Sequence, residues 1–233
     1  MAAPTIATIF TQPSIPKVLH IRADSSTSKY HHLFSVPDAD VVLRSAQGTL
    51  YRVHSYILRS TSGLFDTMFS LPQPKSKHSD GLPITNHYPD ILDVYEDDFP
   101  MERVLCLMSG LPIPKWDTIS ELERTLYLAE KWDTPGPISN LRPSIASHRF
   151  LQQNPLRCYV LATHFGWAQE AKLASTHTLS LNLYDPMHES DIDQLSSKYL
   201  LPLLKLHRRR RDMFRELLNS PERFAAGNRC VHN

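Results

Sequence analysis

The sequence predicts an α+β fold: a small β-sheet flanked by a helical cluster, followed by an all-α extension. Three observations carry this. Two short β-rich runs, residues 40–44 and 50–54, stand on either side of the turn-forming Ala46-Gln47-Gly48. A third run, residues 91–95, follows a loop rich in Pro, Lys and Ser. Elsewhere the apolar residues recur at helical spacing, without the βαβαβ alternation of a doubly wound sheet. The expected order is β-β-α-α-β-α-α-α, then about four helical elements with no repeat period.

Residues 1–35 read as a flexible tail, low in periodicity, in which only His20-Ile21-Arg22 suggests an extended piece. Pro37-Asp38 punctuates the entry to the domain. In the return strand Tyr51 and Val53 share one face, and Leu50 and Arg52 the other. Ser55 is expected to cap a short helix carrying Ile57 and Leu58. Ser62 caps a second, with Leu64, Phe65, Met68 and Phe69 as its apolar stripe. Residues 71–82, LPQPKSKHSDGL, read as an exposed loop.

After the third strand, Glu96-Asp97-Asp98 places acids at the positive end of a helix. Its buried stripe is Met101, Val104, Leu105 and Met108, and Gly110 and Pro112 stop it. Ser120 opens the most amphipathic helix, with Leu122, Leu126, Ala129 and Trp132 inward and Glu121, Glu123, Arg124 and Lys131 outward. Pro135-Gly136-Pro137 ends it, and residues 138–151 form another helical stretch around Leu141 and Ile145. Asn154-Pro155 is a cap followed by an N1 proline, opening a helix that presents Cys158, Leu161, Ala162 and Phe165 and closes at Gly166. Ala168, Ala171, Ala174 and Leu179 line the next helix, small enough for close approach of a neighbour. Pro186 breaks the pattern, and residues 191–195 make a short helical turn. Residues 198–218 form a long basic helix with Leu200, Leu204, Met213, Leu217 and Leu218 as apolar points, and residues 219–233 read as a loose tail.

Composition narrows the function classes. The 233 residues are 41% hydrophobic and 21% charged, enough to bury a sizeable core. A net charge of +1 gives no basis for a large nucleic-acid footprint. With only 7 glycines there is no G-x-G-x-x-G or G-x-x-x-x-G-K-[ST] loop to cradle phosphates. Three scattered cysteines, Cys106, Cys158 and Cys230, suit a reducing compartment and not a disulfide framework. No apolar run reaches the roughly 18 residues of a membrane span. The first residues lack the basic start of a signal peptide, although the absence of acids before Arg22 is shared with transit peptides.

Several blocks, in order, resemble the BTB/POZ signature. They are Asp40-Val41-Val42-Leu43, then Tyr51-Arg52-Val53-His54-Ser55-Tyr56-Ile57-Leu58, then Ser62-Gly63-Leu64-Phe65-Asp66-Thr67-Met68-Phe69. Residues 91–98 look like that family's third strand and acidic turn, and residues 126–133 like its helix ending in an Ala-x-Lys-Tyr-type motif. Residues 154–159 and 200–207 resemble the helical extension common in fungal BTB proteins. The likeness spans about residues 36–215, with the BTB/POZ domain at 36–148 and the extension at 149–218.

The resemblance implies a non-catalytic protein–protein interaction module or adaptor, cytoplasmic or nuclear, with no cofactor, no small-molecule substrate and no membrane. It implies self-association, or recruitment of a cullin-type ubiquitin ligase scaffold or of transcriptional co-regulators. The surface near Phe69, Phe99 and Val104 is where a scaffold is expected to bind. One position departs. Many dimeric members carry Lys or Arg after the signature His, forming with the signature Asp a charged pocket at the dimer interface. Here Asp40 is present but Ser55 follows His54, so that pocket is not implied for this chain. Residues 15–21 are the one candidate for a strand swapped between protomers, and no zinc-finger or kelch-like pattern follows.

Asp40 and His54 read first as structural residues, Asp40 capping the strand entry and His54 bonding backbone groups where the strand turns into a helix, and otherwise as partner or dimer contacts. The twelve histidines are scattered and lack metal-ligand spacing. Cys158 and His164 share one expected helix but lie on largely opposed faces, and Cys158 reads as a small core hydrophobe, so no nucleophile–base pair is expected. The run Arg208-Arg209-Arg210-Arg211, preceded by Lys205 and His207, reads first as a solvated helix face relieved by Asp212 and Glu216. Its alternative is a nuclear, transcription-associated regulator using basic residues 205–211 as an import signal or a phosphate-contacting patch.

Overall fold

The computed structural model describes residues 30–72 and 90–220. The expected pieces at 15–22, most of the 71–82 loop, and the tail beyond Ser220 lie outside the described residues.

The sheet is small and centred on β1 (Val41–Arg44), which pairs antiparallel with β2 (Leu50–Val53) and parallel with β3 (Asp90–Asp93). Its order is β2-β1-β3. Val41, Val42 and Leu43 are all buried. A strand covered on both faces reads as a continuous apolar run, as this one does. β2 alternates instead, with Tyr51 and Val53 buried and Leu50 and Arg52 half-buried.

Two short helices follow, α1 (Ser55–Thr61) and α2 (Gly63–Ser70). Ser62 ends one and caps the other. Its Oγ accepts from the Phe65 N–H at 3.2 Å and donates to the Trp132 carbonyl at 2.5 Å, which ties this hairpin to the end of a later helix. The cap of α1 differs from expectation. His54, not Ser55, occupies the cap position, and its ring makes no cap bond.

The helical body comprises α3 (Asp98–Met108), α4 (Ile119–Lys131), α5 (Pro135–Ile145), α6 (His148–Gln153), α7 (Pro155–His164), α8 (Ala168–Thr178), a 3-10 turn at Pro186–His188, α9 (Glu189–Asp193) and α10 (Ser197–Asn219). Boundaries shift for identifiable reasons. α4 begins at Ile119, one residue before the expected opening at Ser120, because the Thr118 hydroxyl accepts from the Glu121 N–H at 3.2 Å. Pro135 is the N1 proline of α5 as well as the break after α4. The stretch at 138–151 resolves into α5 and α6.

α3, α4 and α7 close alike. The N–H two residues past each C-cap reaches back to the third carbonyl from the end: Leu111 to Cys106 at 2.8 Å, Thr134 to Ala129 at 2.9 Å, and Trp167 to Ala162 at 2.8 Å. The residue between is left-handed each time. It is Gly110 at φ 69° and Gly166 at 70°, but Asp133 at 50°, where a Cβ costs energy that glycine avoids.

One hydrophobic core runs through all of this, from Phe34 and the sheet, through α3–α5, to Leu156, Leu161 and Ala174 in α7 and α8 and Leu203 in α10. Two expectations change accordingly. Residues 30–35 are folded and not tail: Tyr30 bridges to Leu50, the Arg52 N–H donates to the Phe34 carbonyl at 2.8 Å, and Phe34 is buried beside Tyr51. Glu123 does not face outward. It is buried against Arg157 of α7, whose Nε donates to it at 3.0 Å, while Arg157 Nη1 reaches Asp191 of α9 at 2.6 Å. This ion triad and the core both cross the boundary between residues 148 and 149. Among the described residues, no helix is long and apolar enough to cross a membrane.

Candidate interaction surfaces

Asp40 sits just before β1 and directs its carboxylate at the start of α1. It accepts from the Ser55 N–H at 2.7 Å and the Ser55 hydroxyl at 2.5 Å. An acceptor fifteen residues upstream therefore serves the exposed N–H of a helix whose own cap residue supplies none. Burial works to raise the Asp40 carboxyl, but the two Ser55 hydrogen bonds and nearby His54 outweigh it and hold the carboxyl below its usual range. The His54 carbonyl accepts from the Ile57 and Leu58 N–H groups, but the His54 ring makes no hydrogen bond to backbone among the described residues. Its Nε2 lies 3.9 Å from Asp38 and its ring 5.6 Å from that of Tyr56. The side-chain role at the junction, expected of His54, thus belongs to Asp40.

Phe69, Phe99 and Val104 do not share one apolar surface. Val104 is completely buried and offers nothing to a partner, because it lies on the core side of α3. Phe69 is half-buried, stacked on Phe65 at 6.1 Å. Phe99 is half-buried under cations, with the Arg103 guanidinium 4.8 Å and that of Arg124 5.9 Å from its ring. Arg103 lies between Phe99 and Trp116, donates to the Pro114 carbonyl at 3.5 Å, and leaves its Nε without a partner. Exposed apolar side chains on the neighbouring elements are instead Tyr56 of α1, Leu64 of α2 and Leu71 just after it, with Ile91 of β3 and Tyr95 beyond it.

The arginine run is solvent-facing at Arg208, Arg209 and Arg211. Arg208 and Arg211 flank Asp212 at 3.7 and 3.6 Å. Arg210 departs from the solvated-face expectation, because its Nη1 donates to the Leu179 carbonyl at the end of α8. A groove of about 520 Å³ lies between residues 181–184 and α10, with Lys205, Arg208 and Arg211 along it. A second groove, about 500 Å³, lies beyond Leu179 and is lined by Leu206, Met213, Phe214 and Leu217. Sequence reasoning missed Leu206, although its spacing to Met213 and Leu217 was available as a signal.

The reactive side chains are held inert. Burial pushes the Cys158 thiol up to about 12 and the Cys106 thiol up to about 11, so both stay protonated near neutral pH. His164 faces away from Cys158, with its Nε2 2.8 Å from Glu130 and its ring edge-on to Tyr127. Among the described residues, no three His, Cys, Asp or Glu side chains gather as a metal site. His78, His87 and Cys230 lie outside the described residues.

In comparisons with known proteins, no protein-family model matches the chain and no curated protein matches it.

Proposed function

We propose that the chain is a non-catalytic protein-interaction module of BTB/POZ type with a helical extension, acting as an adaptor in the cytoplasm or nucleus. The observation that carries the reading is the order and orientation of the first elements. An antiparallel β1–β2 hairpin leads into the α1–α2 helical hairpin, and β3 returns parallel to β1. This follows the block order on which the resemblance rests. Partner binding is assigned to the α1–α2 side, where Tyr56, Leu64 and Leu71 expose apolar surface beside half-buried Phe69. Asp40 is already engaged by Ser55, which speaks against the charged-pocket mode of self-association. The candidate partner is a cullin-type scaffold or a transcriptional co-regulator.

Affinity capture from cells with wild type, Leu64→Asp and Phe69→Ala tests this. A cullin or co-regulator held by wild type and lost by Leu64→Asp supports the reading. If neither is captured, and both variants retain the partners of wild type, the reading fails. The exposed Arg208, Arg209 and Arg211 favour a second reading, a nuclear regulator contacting phosphates through residues 205–211. Binding to duplex DNA should then weaken steeply with salt and vanish when the four arginines are replaced. A flat salt response rules it out.

A further inference from the structure

At 1.5 Å per residue the 23-residue α10 is about 34 Å long. The body holds only its first part. Leu203 is buried, the Tyr159 hydroxyl donates to the Tyr199 carbonyl at 2.8 Å, and His207 Nε2 lies 3.1 Å from the Thr178 hydroxyl. The last of these tethers is Arg210 on the Leu179 carbonyl. Beyond it, Met213 and Phe214 are each 59% exposed, and Leu217 and Leu218 are also exposed. Leu206, Arg210, Met213 and Leu217 follow one another at spacings of four, three and four, the seam spacing of a paired helix. They line the open groove beside Leu179.

We infer that this groove takes the same segment of a second copy of the chain, with the two α10 helices antiparallel. The segment is basic overall, and what favours a second copy is one flank pairing, Arg209 with Glu216, while the position of Arg210 sets the direction. A parallel pair would oppose Arg210 to Arg210 in the seam. An antiparallel pair sets Leu206 against the partner's Leu217 and Arg210 against the partner's Met213. On the flank of the same seam, Arg209 then lies beside the partner's Glu216, twice by symmetry. Neither Arg209 nor Glu216 has an ion-pair partner among the described residues, and both are exposed. The area is modest. The exposed stripe is four apolar side chains on one helix, which falls short of about 800 Å² per partner in a standard interface. The dimer is therefore a weak one. This site lies apart from the Asp40–Ser55 corner, and the inference stands independently of the adaptor reading.

Sedimentation velocity of the full chain from about 1 to 300 µM is the test. A monomer at the low end that becomes a dimer at the high end is expected. Met213→Glu should leave the thermal transition unchanged, because the side chain is exposed, and should weaken dimerisation at least tenfold. Arg209→Glu and Glu216→Arg should each weaken it several-fold, and Arg209→Glu with Glu216→Arg together should restore it, since the swap re-forms both cross-pairs. A chain monomeric at 300 µM overturns the proposal, whether its own undescribed residues or another protein cover the stripe. So does a dimer indifferent to Met213→Glu, or one that the double swap fails to restore.

Discussion

Replacing Arg157 by Met should be among the most damaging single changes outside the apolar core. The guanidinium donates through Nε and Nη2 to both oxygens of Glu123 and through Nη1 to Asp191. The side chains of Glu123, Arg157 and Asp191 retain 9%, 22% and 24% of their exposure. Removing one partner of a buried pair leaves the other charge desolvated, at about 3–5 kcal/mol. Because Arg157 reaches solvent in part, the low end, about 3 kcal/mol, applies. At about 2–4 °C per kcal/mol for a chain of this size, the melting temperature should fall by roughly 6–12 °C. Pairing Arg157→Met with Glu123→Leu should recover part of the loss, since it removes the more buried carboxylate and leaves only Asp191, 24% exposed, without its cation. Circular dichroism melts and urea titrations of the single and double variants read this directly. Arg44→Met is the control. Its partner Asp93 is on the surface, with both side chains over 40% exposed, so the change should cost under about 1 kcal/mol. If Arg157→Met melts within about 2 °C of wild type, or no lower than Arg44→Met, the triad does not hold α4, α7 and α9 together.

Asp40→Ala should destabilise by about 1 kcal/mol at neutral pH, as for other lost helix caps. Because the folded carboxyl is held below its usual range, its contribution is complete above about pH 4 and fades as pH falls through the lower folded value. Urea midpoints of wild type and variant should therefore converge in acid, and a gap that stays constant down to pH 2 contradicts the cap. Asp133→Gly should stabilise by up to about 1 kcal/mol by relieving a positive φ. A Cβ on Gly63 would meet the Asp133 carboxylate at 2.0 Å, so Gly63→Ala should cost more in wild type than in the Asp133→Gly background. Equal costs in the two would mean that the carboxylate simply swings away. In native protein at pH 8, a thiol reagent should react rapidly with at most one of the three cysteines, and fast labelling of Cys158 would contradict its burial.

The sheet and most helices were legible because their signals are local. The unbroken Val41-Val42-Leu43 run, the Ser62 cap and the stop at Gly166 each act within a few residues of themselves. What periodicity missed depends on elements distant in sequence. Glu123 looked outward on an isolated α4, and only the arrival of α7 and α9 makes that face interior. Phe34 sat in a stretch whose composition resembled a tail, yet β2 offers Leu50 and Arg52 as partners and Tyr51 as a packing surface. Val104 belongs to the buried stripe that the spacing predicts for α3, and for that reason it cannot also serve the partner surface expected around Phe69 and Phe99. Phe99 looked like a bare apolar contact, but Arg103 and Arg124 cover it, and nothing local announces a buried arginine. The Asp40–Ser55 contact is not legible in the sequence: Asp40 reads as a cap of the strand entry and His54 as the residue bonding backbone at the strand-to-helix junction, yet it is Asp40, fifteen residues upstream, that serves that junction.

The core that passes unbroken from the sheet to α10 also governs how the molecule comes apart. A wall shared between α4, α5 and α7 gives neither half a surface on which to stop melting, so heating should produce one calorimetric peak. A fragment ending at residue 148 would leave Leu126, Leu141 and Ile145 with part of their packing missing and Glu123 without its cation. The extension is thus a stabilising half of the fold. A lesion at Leu161 in α7 should lower the stability of the whole chain, and with it the population of molecules that present the α1–α2 surface to any partner.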